Sequence, residues 1–440
     1  MKDSHKTMMR LSIVAVLDLF GVIIATGSPA TFHGIGFLPG GSSSASSAQA
    51  ASADGKVVVG YSSSSNGLEE AVLWTNGVLV GLGDLPAGGF DSFANSVSAD
   101  GSVIVGAGTT SQGYEAFRWE AGVMTGLGVL PGYRLSVASA VSRDGLFIIG
   151  GVDNEFQVGS LPQAFRWKTG TMTGLGDLPG GEFDSYAQAI TTDGLIIVGR
   201  GWTDVSQHYE AFIWRDGSMN GLGFLTGGRN YSQALAVTPD GVTIVGVSSS
   251  ARSSQLFDHG EACRWDNGVI SALGDLPGGE FDSSAIAVSD DGQIIVGEAT
   301  TDQGSAAFIW DPTNGMRSLQ ELAANLCGLD LSGWSLTLPL GISADGRTIV
   351  GRGLHNGSSE GWVLTIPRVI VINGERPVLT IQKGITLTWP ACPMGYRLQA
   401  TESLSAKDWR DIDVPVNTVN GTNLASITAT GTQKFFRLAR

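Results

Sequence analysis

The sequence predicts an all-β protein, a seven-bladed β-propeller of four-stranded blades followed by a small β-sandwich, and three observations carry this. First, an Asp-Gly pair followed by an apolar run and a second glycine recurs seven times. Its Asp residues (54, 100, 144, 193, 240, 291 and 345) lie 46, 44, 49, 47, 51 and 54 apart, and a period near fifty with strand-like content marks a propeller or solenoid. Second, each repeat divides into four short strand candidates, in the second copy residues 92–98, 103–105, 115–119 and 123–127, which is one blade. Third, 63 glycines and a charged fraction of only 15% fit many strands joined by tight turns. The 42% of hydrophobic residues, recurring in register, argues against disorder.

Taken in order, the chain opens with an export signal over residues 1–30. Lys2, Lys6 and Arg10 precede an apolar run over residues 11–26, and the small residues Gly27, Ser28 and Ala30 follow, with cleavage after Gly27 or Ala30. Asp18 interrupts that run, which is shorter than the roughly 20 residues that span a bilayer, so no membrane span is expected once the signal is removed. Residues 31–366 form the propeller. Within each repeat the first strand is rich in Ala and Ser (Ala48 and Ala50, Ala94 and Ser96, Ala138 and Ala140), where blades converge on the axis. Trp74, Trp119, Trp167, Trp214, Trp265 and Trp310 end the third strands, where large rings fill the widening gap between blades.

Loop lengths divide the two ends of the disc. The Asp-Gly connection keeps one length in every copy and is expected to be a tight type I′ hairpin. The third-to-fourth connection is equally constant, Trp74 to Gly83 and Trp119 to Gly128 each spanning nine. The second-to-third connection varies, from Gly106 to Ala116 (10) up to Gly246 to Ala262 (16). One end is therefore uniform and the other irregular, and binding usually resides on variable loops held by a rigid scaffold. The seventh copy ends at Leu364 with no fourth strand before Pro367, so the orphan segment 31–38 (T-F-H-G-I-G-F-L) is expected to supply it and fasten the ring.

Residues 367–440 form a second unit, with alternating runs and turns at Asn373-Gly374 and Asn420-Gly421, read as the β-sandwich. Three cysteines make no disulfide framework. Cys263 takes the place of a repeat Phe and is expected to be buried, and Cys327 and Cys392 can pair if the C-terminal unit docks on the last repeat. Residues 31–367 carry −20, against +1 before and +4 after, which argues against nucleic acid or an anionic membrane as partner.

The full unit, G-L-G-D-L-P-G-G, then S-x-A-x-A-x-x-x-D-G, V-V-G and x-A-F-x-W, resembles the HAF-type extracellular repeat across about residues 31–366. The resemblance implies an exported bacterial β-propeller-like protein and assigns no activity. Where the name-giving His of that repeat would stand, this chain has Glu70, Glu115, Gln163, Glu210, Glu261 and Ala306, so no role of that histidine carries over. The C-terminal unit is similar to modules that end many secreted proteins of environmental bacteria, which implies attachment or sorting, or a folding cap.

Candidate binding residues lie on the irregular end. Asp91, Asp184 and Asp282 recur in copies two, four and six within G/E-F-D-S, and the same units carry Asp84, Asp177 and Asp275 before Leu-Pro. Such carboxylates can hold a cation or a sugar hydroxyl, or cap their own turns through backbone N–H groups. His208 and His259 stand three residues before the third-strand Ala, with His355 in the corresponding loop of copy seven, but without paired metal-ligand spacing. No nucleophile elbow, phosphate loop, dinucleotide fingerprint or calcium loop is present, so no cofactor or metal is expected. The reading is an exported, monomeric binding or surface-interaction module whose partner is an extracellular glycan or cell-surface component. The alternative is a carbohydrate-active enzyme, a glycosidase or lyase, on the variable-loop end. Two or more non-repeat acids in an axial pocket would favour the enzyme.

Overall fold

A computed structural model describes residues 30–41, 45–65, 68–155, 161–203, 208–253 and 260–366, and beyond them 380–382, 386–390, 397–401, 409–412, 414–419, 422–426 and 435–439. The expected export signal lies outside the described residues but for Ala30. Seven four-stranded antiparallel sheets follow one another, blade 1 over residues 46–83, blade 2 over 92–126, blade 3 over 135–174, blade 4 over 185–221, blade 5 over 232–274 and blade 6 over 283–318. Blade 7 combines Trp334–Ile342, Thr348–His355 and Ser358–Thr365 with the N-terminal strand Thr31–Gly34. The first strands touch their neighbours all the way round, that of blade 7 against that of blade 1 included, which makes the arrangement a closed seven-bladed propeller.

Closure follows the expected route. Thr31 pairs with Thr365, Phe32 with Leu364, His33 with Val363 and Gly34 with Trp362. The segment works because it repeats the fourth-strand chemistry of the other blades. Gly36 donates its N–H to Glu360 Oε1 at 3.1 Å, as Gly83 does to Glu70, Gly128 to Glu115 and Gly223 to Glu210. The glutamate that stands just before the third-strand Ala or Gly (Glu70, Glu115, Glu210 and Glu360) is thus a latch between third and fourth strands.

A second repeated device joins blade to blade. Ser92 of blade 2 accepts the Ala71 N–H at 3.0 Å and donates to the Gly83 carbonyl at 2.7 Å, both in blade 1. Ser136, Ser185, Ser232 and Ser283 do the same at the next four seams. At the closing seam Ser46 accepts from Gly361 N. These hydroxyls are buried, so each bond satisfies groups whose orphaning would be costly. The apolar core is likewise inter-blade. One cluster unites Val59 and Ala71 of blade 1 with Ala94, Ile104 and Phe117 of blade 2, and Trp119 packs against it. Trp265, fully buried, donates Nε1–H to the Leu222 carbonyl of the preceding blade. The expected Trp positions therefore fill the seams, and Phe117, Phe165, Phe212 and Phe308 beside them are buried completely.

Two local features differ from expectation. Each first strand of blades 1–6 carries a bulge, at Gln49, Asn95, Ser139, Gln188, Leu235 and Ile286, and blade 7 carries two. The extra residue brings a first-strand carbonyl against the glycine of V-V-G: a Cβ on Gly60, Gly106 or Gly150 would overlap the Ser47, Phe93 or Val137 oxygen. That close approach is why this glycine recurs. The Asp-Gly connection is not type I′. Ser52 N–H bonds the Val57 carbonyl across four intervening residues, and Gly55 has positive φ while Asp54 does not. Asp54 Oδ1 takes the Ser52 hydroxyl and the Lys56 N–H, which holds the turn in this wider form. The type I′ geometry, with two successive positive φ values, occurs instead at third-to-fourth hairpins such as Asn76-Gly77 and Thr169-Gly170. A short helical segment over residues 319–326 leads into blade 7 and buries Leu319, Leu322 and Ala323.

In the C-terminal unit the described residues form a four-stranded and a three-stranded antiparallel sheet. Both Asn-Gly turns expected there lie outside the described residues. Cys263 is a free, buried thiol, as expected. Cys327 is in a disulfide, and Cys392 lies outside the described residues. Among the described residues no helix is long and apolar enough to cross a membrane.

Candidate functional site

The two ends of the propeller axis differ. At the uniform end, the residues between Ser and Asp in successive turns bond across the seams: Asp290 N to Ala344 O, Ala344 N to Ala53 O, Ala53 N to Ala99 O and Ala99 N to Arg143 O, each at 3.0–3.1 Å. These bonds run through blades 6, 7, 1, 2 and 3, and the Arg143 guanidinium then pairs with the Asp290 carboxylate, joining both ends of the arc from opposite sides of the axis. Burial pushes the Asp290 carboxyl up, and Arg143 opposes that shift.

At the irregular end stand the second-strand residues that follow V-V-G. They are Tyr61, Ala107, Gly151, Arg200, Val247, Glu298 and Arg352, a position with no repeated identity inside an otherwise repeated strand. Arg352 Nη1 donates to the Tyr61 hydroxyl at 3.3 Å. Glu298 of blade 6 and Glu69 of blade 1, themselves non-repeat acids, flank that arginine in the blade order. Burial raises the Glu298 carboxyl, with Asp282 adding to the shift and Arg352 opposing it. Burial also raises Glu69, with Asp91 adding and Arg352 opposing. The sequence reading missed Arg200, Glu298, Arg352 and Glu69, although variation at the position after V-V-G was a signal that could have found the first three, while Glu69 opens a third strand.

The expected aspartates take two roles. Asp84 Oδ1 accepts from Leu85 N and Thr109 N, and Oδ2 from Asp91 N and the Thr109 hydroxyl. Asp177 accepts from Asp184 N, and Asp275 from Leu276 N and Asp282 N. These three are turn caps, and burial drives Asp177 and Asp275 each up to about 6. Asp91, Asp184 and Asp282 are then each held by that cap and present their carboxylates differently. Asp91 Oδ2 takes the Tyr114 hydroxyl at 2.5 Å, Asp184 Oδ2 the Tyr209 hydroxyl at 2.8 Å, and Asp282 Oδ1 the Gly260 N–H at 2.9 Å. Burial, then the bond to Asp184, lifts the Tyr209 phenol to about 12.

The histidines are not brought together as a metal set. His208 lies edge-on to Trp202 with ring centroids 6.5 Å apart, and His259 lies outside the described residues. His355 Nδ1 is bonded to Glu360 Oε2 at 2.6 Å and its ring stacks on Trp334 at 4.3 Å. Among the described residues no three His, Cys, Asp or Glu side chains are grouped to hold a metal ion.

No family model matches the chain, and no curated protein matches it. Solved structures do. An oligogalacturonate lyase from Vibrio parahaemolyticus is 8% identical with a TM-score of 0.51, covering 77% of this chain and 97% of that one. An oligogalacturonate lyase in complex with manganese is 14% identical, TM-score 0.49, covering 78% and 98%. TolB from Acinetobacter baumannii is 12% identical, TM-score 0.41, covering 60% of this chain, which spans 63% of that protein's length. At these identities the likeness is one of fold.

Proposed function

We propose that this protein is an exported propeller of HAF-like repeats that binds an extracellular glycan or cell-surface component at the irregular end of its axis, as a monomer and without catalysis. One observation supports this above all: the uniform end is drawn together by backbone bonds and the Arg143–Asp290 pair, while the ionisable residues that break the repeat stand at the other end. A repeat that needed only stability has no use for Arg200, Glu298 and Arg352 at a position where Ala107, Gly151 and Val247 serve. The C-terminal unit, read as a sandwich, attaches or sorts the propeller. A glycan-array and metal-binding screen on the protein lacking residues 1–30 tests the reading. Saturable glycan signal is the expected result, and silence in both screens would leave a purely structural role.

Catalysis is the second reading, favoured by Glu69 and Glu298 on either side of Arg352. Two carboxyls raised by burial can act as acid and base on a sugar. Release of reducing or unsaturated ends from acidic and neutral polysaccharides, lost in Glu298→Gln, would establish it. Absence of any product leaves the binding module.

A further inference from the structure

We propose that the outer mouth of the seam between blades 2 and 3 is a binding site for a neutral sugar ring, apart from the irregular end and independent of what binds there. A cavity of about 370 Å³ opens at that seam. Blade 2 lines it with Arg118, Glu120, Val123, Thr125 and Leu127, and blade 3 with Trp167. Strand pairing explains the set. Arg118 sits opposite Thr125 and Glu120 opposite Val123 in the last hairpin of the blade, so the four share one face of it. Trp119, between the two charged residues, points the other way and packs at the seam with blade 1.

The repeat does not demand these residues, since blade 1 has Leu73, Thr75, Val78 and Val80 at the same four positions. Blades 3 and 5 keep the arginine as Arg166 and Arg264, but their guanidinium carbons lie 4.9 and 5.5 Å from the ring centres of Trp214 and Trp310. There the arginine occupies the seam beside the tryptophan. Between blades 2 and 3, Arg118 Nη1 is bonded to Glu120 Oε2 at 2.5 Å, and this pair and Trp167 border one open space. The two side chains are 21% and 53% exposed, and an ion pair so placed adds little to stability.

The lining selects the ligand. The pair is neutral overall and gives no net attraction to a cation or an anion, yet it presents a charged donor and a charged acceptor side by side, each with bonding capacity to spare. Adjacent sugar hydroxyls, which both accept and donate, match that arrangement. Trp167, Val123 and Leu127 offer an apolar wall to the ring C–H groups. The volume falls within the roughly 300–1,000 Å³ of small-molecule sites, and the exposure of Val123 and Thr125 leaves the cavity accessible from solvent.

Isothermal titration of the protein with maltose, cellobiose and chitobiose, and separately with digalacturonate, tests this. At least one neutral disaccharide should bind, and Arg118→Met and Glu120→Gln should each weaken it about tenfold or more. Val123→Trp, which fills the opening from an exposed position and suits a strand, should abolish binding. Val269→Trp, at the corresponding exposed position of blade 5, should stay within about twofold of the parent. If no neutral disaccharide binds, the site is wrong, and if only digalacturonate binds, so is its ligand class. If a disaccharide binds but survives Val123→Trp and Glu120→Gln while Arg352→Met removes it, the sugar sits at the irregular end and only the reading given above for that end stands.

Discussion

At the scale of single residues, glycines serve two opposite needs. Gly150 has an ordinary φ but no room for a methyl beside the Val137 carbonyl, whereas Gly170 has φ +85° and open space around it. Gly150→Ala should destabilise the protein by about 1–3 kcal/mol through overpacking against rigid backbone. Gly170→Ala should cost about 1–2 kcal/mol through left-handed strain alone. Denaturant melts separate the two when combined with Thr169→Asn, which eases the turn but cannot relieve a clash in blade 3. The sequence displayed both glycines plainly but not the reason for Gly150, because a bulge at Ser139 is a departure from pairing that leaves no mark in alternation.

At the scale of elements, the N-terminal strand is the least expendable short segment. It supplies four ladder pairs, the latch from Gly36 to Glu360 and the buried side chain of Ile35. Burial of Ile35 alone is worth about 1.5–3 kcal/mol. A chain beginning at residue 39 should melt well below one beginning at residue 31, and it should self-associate, because the third strand of blade 7 is left with a bare edge. Differential scanning calorimetry with size-exclusion chromatography checks both outcomes. This strand was legible because H-G-I-G-F-L copies V-G-L-G-D-L in kind and blade 7 visibly lacked a partner. The Glu latch was not: the recurring Glu showed in the sequence, but its acceptor role depends on a Gly N–H thirteen residues on.

For the whole molecule, acidity acts in two directions. Folding raises Asp177 and Asp275 to about 6, chiefly by burial, so the folded state binds protons that the unfolded chain releases, and stability falls as pH rises from about 4 to 6. Asp54 is lowered to about 2, first by its contact with Lys56, and Asp100 to about 2, first by the Ser98 hydroxyl. Their contribution is present above about pH 4 and lost as pH falls toward 2. Thermal melts across pH 3–8 should therefore peak near about pH 4–5, and Asp177→Asn with Asp275→Asn should flatten the limb above the peak. The blade count and the closing strand came from periodicity. The two ends of the axis did not, since Arg143 and Asp290 are 147 residues apart and nothing local links them.

The pairing of Thr31 with Thr365 also orders events in time. The strand made first waits, unpartnered, until more than three hundred later residues have emerged, so the circle cannot lock before nearly the whole propeller exists. A chain still emerging is thereby kept pliable, and it becomes rigid only once the last blade is complete.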